Sequence, residues 1–174
     1  AGLYRPVRLR LSKSIAIDAW GVFARASALR DIDGHTAGEA RVDVSTSLRA
    51  DSPNARNVIV RHKIISPSGR QVANSEAWLS DSHETEQVLC VYGAELWSPE
   101  NPVLYELVTE VWSDSVKLDE RADRIGIRSI DYGIDGFRLN GQTRKIKGVC
   151  LHHDLGPLGA AFNKAAFRRQ VRLL

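Results

Sequence analysis

From Ala40 to Leu48 the chain reads ARVDVSTSL, and side chains of opposite character alternate at every step. Ala40, Val42, Val44, Thr46 and Leu48 fall on one side, and Arg41, Asp43, Ser45 and Ser47 on the other. A helix cannot use this period, because its apolar positions recur every three to four residues. The pattern demands a strand with one face on a core and one in water. Similar stretches fill most of the chain. Val7, Leu9 and Leu11 oppose Arg8 and Arg10 in residues 3–11, where Pro6 predicts a sheet edge or a strand start. Ile15 and Ile17, then Trp20, Val22 and Ala24, continue an extended pattern. Residues 58–65, 72–78 and 87–91 are further strand-like runs, and the turn Ser66-Pro67-Ser68-Gly69 separates the first two. Tyr105, Leu107, Thr109 and Val111 oppose Glu106, Val108, Glu110 and Trp112, and residues 116–130 read as a last hairpin-like pair. About seven short strands with turn signals roughly every 8–12 residues predict a mainly β protein, an immunoglobulin-like antiparallel β-sandwich.

The texture changes after residue 132. Asn140-Gly141 is a strong signal for a two-residue hairpin turn. Residues 145–151 read as a short apolar strand, and 154–159 as a loop with two glycines and a proline. Asn163 is a good helix N-cap, and Phe167, Val171 and Leu174 follow at helical spacing with arginines opposite. Strand, loop and helix in this order predict the first unit of a β/α fold. A β/α barrel needs about 250 residues, far more than follow Phe137, so the unit is expected to be truncated. The chain begins with alanine and contains no methionine, as expected of a processed or excised piece.

Four segments carry a family resemblance. Gly2-Leu3-Tyr4-Arg5 comes first. Leu96-Trp97-Ser98-Pro99-Glu100-Asn101-Pro102-Val103-Leu104-Tyr105 follows, then Arg124-Ile125-Gly126-Ile127-Arg128. Last come Phe137 to Gly141 with Gly148-Val149-Cys150-Leu151-His152-His153-Asp154. In wording, order and spacing the chain resembles glycoside hydrolase family 2, the β-galactosidases, β-glucuronidases and β-mannosidases. GVCLHHDLGPLGAA is most similar to the β-galactosidase branch. The resemblance implies three domains. Residues 1–12 would end a preceding jelly-roll domain, 13–132 form the immunoglobulin-like sandwich, and 133–174 open a TIM-barrel catalytic domain.

The resemblance also implies a retaining hydrolase of terminal β-glycosidic bonds. Such enzymes use two carboxyls about 5–5.5 Å apart, one as nucleophile and one as acid/base. The family's acid/base glutamate follows an asparagine, and this chain has no Asn-Glu pair. Beyond Asp154 it has no acidic residue. No catalytic residue is therefore expected in this segment, and no cofactor. His152 matches the family's histidine just past the first barrel strand, where side chains face the active site. The resemblance makes it a substrate-hydroxyl contact, with Asp154 bonding the loop or lining the sugar pocket. His153 departs from the family, many of whose members carry glutamate there. A metal site from His152, His153 and Asp154 is disfavoured, because neighbours on an extended chain point to opposite faces.

Other features define what the chain is not. A net charge of +3 is too mild to argue for nucleic acid. No apolar run reaches the roughly 18 residues of a membrane span. Gly156, Pro157 and Gly159 match neither a dinucleotide nor a phosphate-loop fingerprint. The alternative function is a non-catalytic sandwich used for carbohydrate binding or adhesion. It would need an exposed aromatic platform, and Trp20, Trp78, Trp97 and Trp112 all read as core or interface residues. Cys90 and Cys150 read as buried thiols, and His35, His62 and His83 as surface residues. The partners implied are a β-galactoside or related oligosaccharide and the neighbouring jelly-roll and barrel domains. The uncovered β/α unit is expected to pack onto the sandwich or onto another copy, since an apolar patch of that kind finds a partner.

A direct consequence concerns activity. The purified chain should release no chromophore from a chromogenic β-galactoside, and turnover by the pure chain would refute the absence of catalytic carboxyls.

Overall fold

A computed structural model describes residues 7, 9–50, 57–79, 83–150, 152 and 155–174. The chain divides into two compact units, Ser12–Lys145 and a smaller one of Ala1–Leu11 with Ile146–Leu174.

The larger unit is an antiparallel sandwich. One sheet has the order β1-β2-β5, from Ile15–Asp33 (β1), Thr36–Ala50 (β2) and Glu84–Glu95 (β5). The other has the order β4-β3-β6-β7, from Val58–Ile65 (β3), Gln71–Trp78 (β4), Tyr105–Ser113 (β6) and Val116–Ile125 (β7). A small third sheet joins Ile130–Gly133 (β8), Gly136–Leu139 (β9) and Gln142–Thr143 (β10). The alternation in β2 is realised as read. Ala40, Val42, Val44, Thr46 and Leu48 are all buried, as are Tyr105, Leu107, Thr109 and Val111 on β6.

The core has two apolar clusters. The larger sets Val42, Val44, Leu89 and Val91 of the first sheet against Ile64, Tyr105 and Leu107 of the second, closed by Leu96 and Ile127. The smaller gathers Ile17, Leu48, Val58, Val60 and Val111. Each such side chain taken out of water contributes about 1.5–3 kcal/mol. Between the clusters lies a polar layer. The His62 ring on β3 hydrogen-bonds Thr46 Oγ1 on β2 through Nε2 (3.2 Å) and Thr109 Oγ1 on β6 through Nδ1 (3.1 Å). All three residues are at most 1 % exposed. Nearby, Gln87 Nε2 on β5 donates to the Val60 carbonyl (3.1 Å), a second polar tie between the sheets.

β1 is one 19-residue strand rather than two short pieces. It bulges between Ile17 and Val22, where its register shifts against β2. Gly21 permits the bulge, because a Cβ there would lie 2.3 Å from the Ser47 carbonyl oxygen. Side chains of β7 pin the irregular stretch: Asp119 Oδ2 accepts from Ile17 N (2.9 Å), and Arg121 Nη1 donates to Ala19 O (3.1 Å).

Several readings need correction. Residues 116–130 are not a hairpin pair: β7 is a single strand, and the hairpin lies further on, between β8 and β9. His62 is buried, because it shares parity with Val58, Val60 and Ile64. Trp20 and Trp78 are 92 % and 65 % exposed, so neither is a core residue. Cys150 is exposed and Cys90 half-buried. In the smaller unit, Val7 and residues 9–11 form no strand and are exposed. The rest of the predicted first strand, residues 3–6 and 8, lies outside the described residues. Residues 145–150 also form no strand. A parallel barrel strand takes its hydrogen bonds from neighbours on both edges, and the described residues supply none.

The buried histidine has a measurable signature. Burial holds the His62 pKa at about 4, below its ordinary 6.5. As pH falls below about 6.5 the unfolded chain binds the proton first, so stability is complete above that value and declines toward pH 4, by about 3 kcal/mol in all. Urea unfolding between these limits should show that slope, and His62→Gln should flatten it. An unchanged slope in the variant would contradict the neutral buried ring.

Candidate functional site

The loop singled out in the sequence belongs to the smaller unit. His152 is exposed. His153 and Asp154 lie outside the described residues, so the placement of the His152–Asp154 pair is not defined. From Leu155 onward the loop folds on itself. Leu155 N donates to Gly159 O (3.0 Å), and Gly159 N to Gly156 O (2.9 Å) around a short 3₁₀ turn, Gly156–Leu158. Gly156 and Gly159 have φ of 62° and 54°, which other residues adopt only with strain. Asn163 caps helix α1 (Lys164–Leu173) as expected: its Oδ1 accepts from Ala165 N and Ala166 N, both at 3.0 Å. The Phe162 and Phe167 rings pack with centroids 5.7 Å apart. No residue of α1 is buried, and Phe167, Val171 and Leu174 remain exposed.

In the larger unit, the segment after the sandwich is held tightly. Trp97 begins a corner in which Trp97 N donates to Ile127 O (2.8 Å) and Ser98 N to Asn101 O (2.9 Å). The indole packs over Gly126, where a Cβ would lie 2.9 Å from Trp97 Cγ. The Arg128 guanidinium stands 4.9 Å from the ring centroid. Nearby, the Tyr105 hydroxyl accepts from Glu95 N (2.8 Å). Trp97 is thus a packing residue, as expected of a stiff proline-bracketed corner.

Asn140 connects this corner to the following hairpin. Its Nδ2 donates to Trp97 O (3.1 Å), and its Oδ1 accepts from Ser129 N (3.0 Å). Asn140 and Gly141 both have positive φ, 52° and 76°, the geometry of the predicted two-residue turn. Arg144 closes the arrangement with an ion pair to Glu100. The chain is therefore fixed against the sandwich up to Arg144.

Of the core and interface alternatives for the tryptophans, the structure excludes the core for Trp78, and Trp112 lies on the outward face as its alternation predicts. Trp78 falls on the same parity of β4 as Asn74 and Glu76, and Trp112 on that of Glu106 and Glu110. Parity alone marks both as facing away from the core.

Comparison with known proteins adds independent findings. The family described as Glycosyl hydrolases family 2 matches residues 29–128. The chain is 34% identical over 180 residues to "Beta-galactosidase BoGH2A" of Bacteroides ovatus, covering 99% of this chain and 20% of that protein. Among solved structures, a glycosyl hydrolase family 2 member from Bacteroides cellulosilyticus is 33% identical with a TM-score of 0.80, over 93% of this chain and 22% of that one. A β-glycosidase from Bacteroides vulgatus is 28% identical with a TM-score of 0.83, over 100% and 21%. The chain thus spans about a fifth of the length of these proteins.

Proposed function

The chain belongs to glycosyl hydrolases family 2, and from that membership we propose that it is the central sandwich of a retaining β-glycosidase acting on terminal β-galactosides. The observation that carries this reading is the likeness to a β-galactosidase along 99% of the chain, at 20% of that protein's length. In this reading residues 1–12 end the preceding jelly-roll domain, 13–132 are the sandwich, and 133–174 open the barrel.

The sandwich acts as a brace. Its role is to hold the chain rigidly where it leaves for the barrel, which is what the Trp97 corner and the Asn140 clamp do up to Arg144. The two carboxyls that perform displacement and proton transfer belong to the barrel beyond this segment. The segment's share of the site is the loop around His152. An imidazole donates through one ring nitrogen and accepts through the other, which suits His152 to orienting a sugar hydroxyl. Asp154 holds the loop or lines the same pocket. Position one such hydrogen bond wrongly and the glycosidic oxygen no longer meets the acid.

The uncovered apolar face of α1 supports a second copy as partner. Phe167, Val171 and Leu174 lie on one side of the helix and are exposed. Sedimentation velocity over a dilution series should show concentration-dependent self-association of the chain, weakened by Phe167→Ser. A monomer at every concentration would contradict it.

In the hydrolase containing this chain, His152→Ala should lower kcat/KM for a β-galactoside about 10- to 100-fold, the cost of one lost hydrogen bond in a dry site. The anomer first released should retain the β configuration. An unchanged kcat/KM would remove His152 from the sugar pocket. Hydrolysis of β-glucuronides in preference to β-galactosides would overturn the substrate assignment.

A further inference from the structure

The outer face of the four-stranded sheet carries a groove that hydrolysis does not use. Ile59 on β3 is in register with Trp78 on β4 and with Trp112 on β6. All three point away from the core, because the opposite parity of β3 is the buried one. The tryptophans stand two strand spacings apart, about 10 Å, with Ile59 as the floor between them. The groove measures about 450 Å³ and is also lined by Asn57, Arg61, Asp114 and Ser115, within the range of small-ligand sites.

Trp78 leaves most of a large indole in water, being 65 % exposed. Trp112 is held in place. Its Nε1 donates to Glu110 Oε2 (3.1 Å), and the Arg61 guanidinium lies 5.2 Å from its ring centroid. Arg61 is itself paired with Glu76 (3.0 Å), and Glu110 with Lys63 (3.0 Å). At the far end Asn57 Nδ2 donates to Asp114 Oδ1 (2.9 Å). The two ion pairs cancel, and Asp114, bonded to a neutral amide, leaves a single negative charge, so the groove does not select an anion. Yet guanidinium, amide and carboxylate groups each have more hydrogen-bonding capacity than these pairs consume.

An apolar floor, indole walls and a rim rich in planar polar groups, with no cluster of like charges, match the chemistry of a pyranose. Its axial C–H hydrogens form a weakly positive apolar face that lies against the electron-rich face of an indole. Its hydroxyls both donate and accept, and adjacent pairs are spanned by a carboxylate, an amide or a guanidinium. An added peptide strand would need an open sheet edge instead, and this groove lies on the sheet's face. We infer that the groove binds one or two rings of a neutral pyranose oligosaccharide, stacked on Trp78 and bonded at its edges by Arg61, Asp114 and Asn57. The inference goes beyond the hydrolase reading and does not depend on it.

Lactose and cellotriose, titrated into the 174-residue chain with indole fluorescence and the Trp78 Nε1–H resonance as readouts, test it. At least one should give a saturable change with half-saturation on the order of 1 mM. Trp78→Ala should weaken it by at least about tenfold, while Trp78→Tyr, which keeps a stacking face, retains most of it. Trp20→Ala removes an exposed indole from the other sheet and should change nothing. Circular dichroism confirms that each variant keeps its fold, which the exposure of both indoles favours. No saturable change with either sugar overturns the inference. So does undiminished binding in Trp78→Ala, an equal loss in Trp20→Ala, or a failure of Trp78→Tyr to bind.

Discussion

The sandwich is aligned by one buried imidazole. His62 reaches Thr46 across the gap between the sheets and Thr109 on the neighbouring strand, and apolar clusters fill the space on either side. Apolar packing alone does not choose strongly between alignments, since one valine replaces another at little cost. A buried polar group does choose, because leaving it unpaired costs about 1–3 kcal/mol. Sliding β3 by two residues would keep its apolar face inward but put Val60 or Ile64 where His62 stands, breaking both bonds at once. The layer thus specifies which residues of β2 and β6 stand opposite β3.

That alignment carries to the sandwich's exit. β6 begins at Tyr105, whose hydroxyl accepts from Glu95 at the end of β5, next to the Trp97 corner. The corner takes Ile127 as its backbone partner and Gly126 as its packing surface, and Asn140 ties the next hairpin to it. Each link fixes the next without a charged or reactive group in the core. Glu110, on the outer parity of β6 and only 7 % exposed, is likewise held by its neighbours. Burial pushes its carboxyl pKa up, but bonds from Lys63 and Trp112 outweigh this and hold it below the ordinary value. It stays an ion-paired structural residue. In the proposed reading, a domain built this way suits the task of holding neighbouring domains in place.

Much of this was legible in the sequence. Alternation in β2 and β6 gave the buried faces directly, Asn140-Gly141 gave its turn, and Asn163 gave its cap. Residue type alone points His62 to the surface, whereas its parity with Val60 and Ile64 places it inside. For Trp78 the core alternative fails and the interface one does not, because this large apolar residue stands on the polar parity of β4. Of the strand expected at residues 145–151, the described residues 145–150 are not paired, because strands are a property of pairs and a local pattern cannot provide its own partner. His152 is exposed, and its role rests on family likeness, since a loop histidine has no periodic pattern to reveal it.

In the proposed reading this chain braces a glycosidase while containing neither of the carboxyls that cut. Covalent trapping tests that claim most directly. A 2-deoxy-2-fluoro-β-galactosyl fluoride reacts with the nucleophile of a retaining enzyme and leaves the sugar bound to it. The intact mass of the purified chain should stay unchanged after exposure. A mass increase of one deoxyfluorogalactosyl unit, mapped to an aspartate or glutamate of this chain, would contradict it.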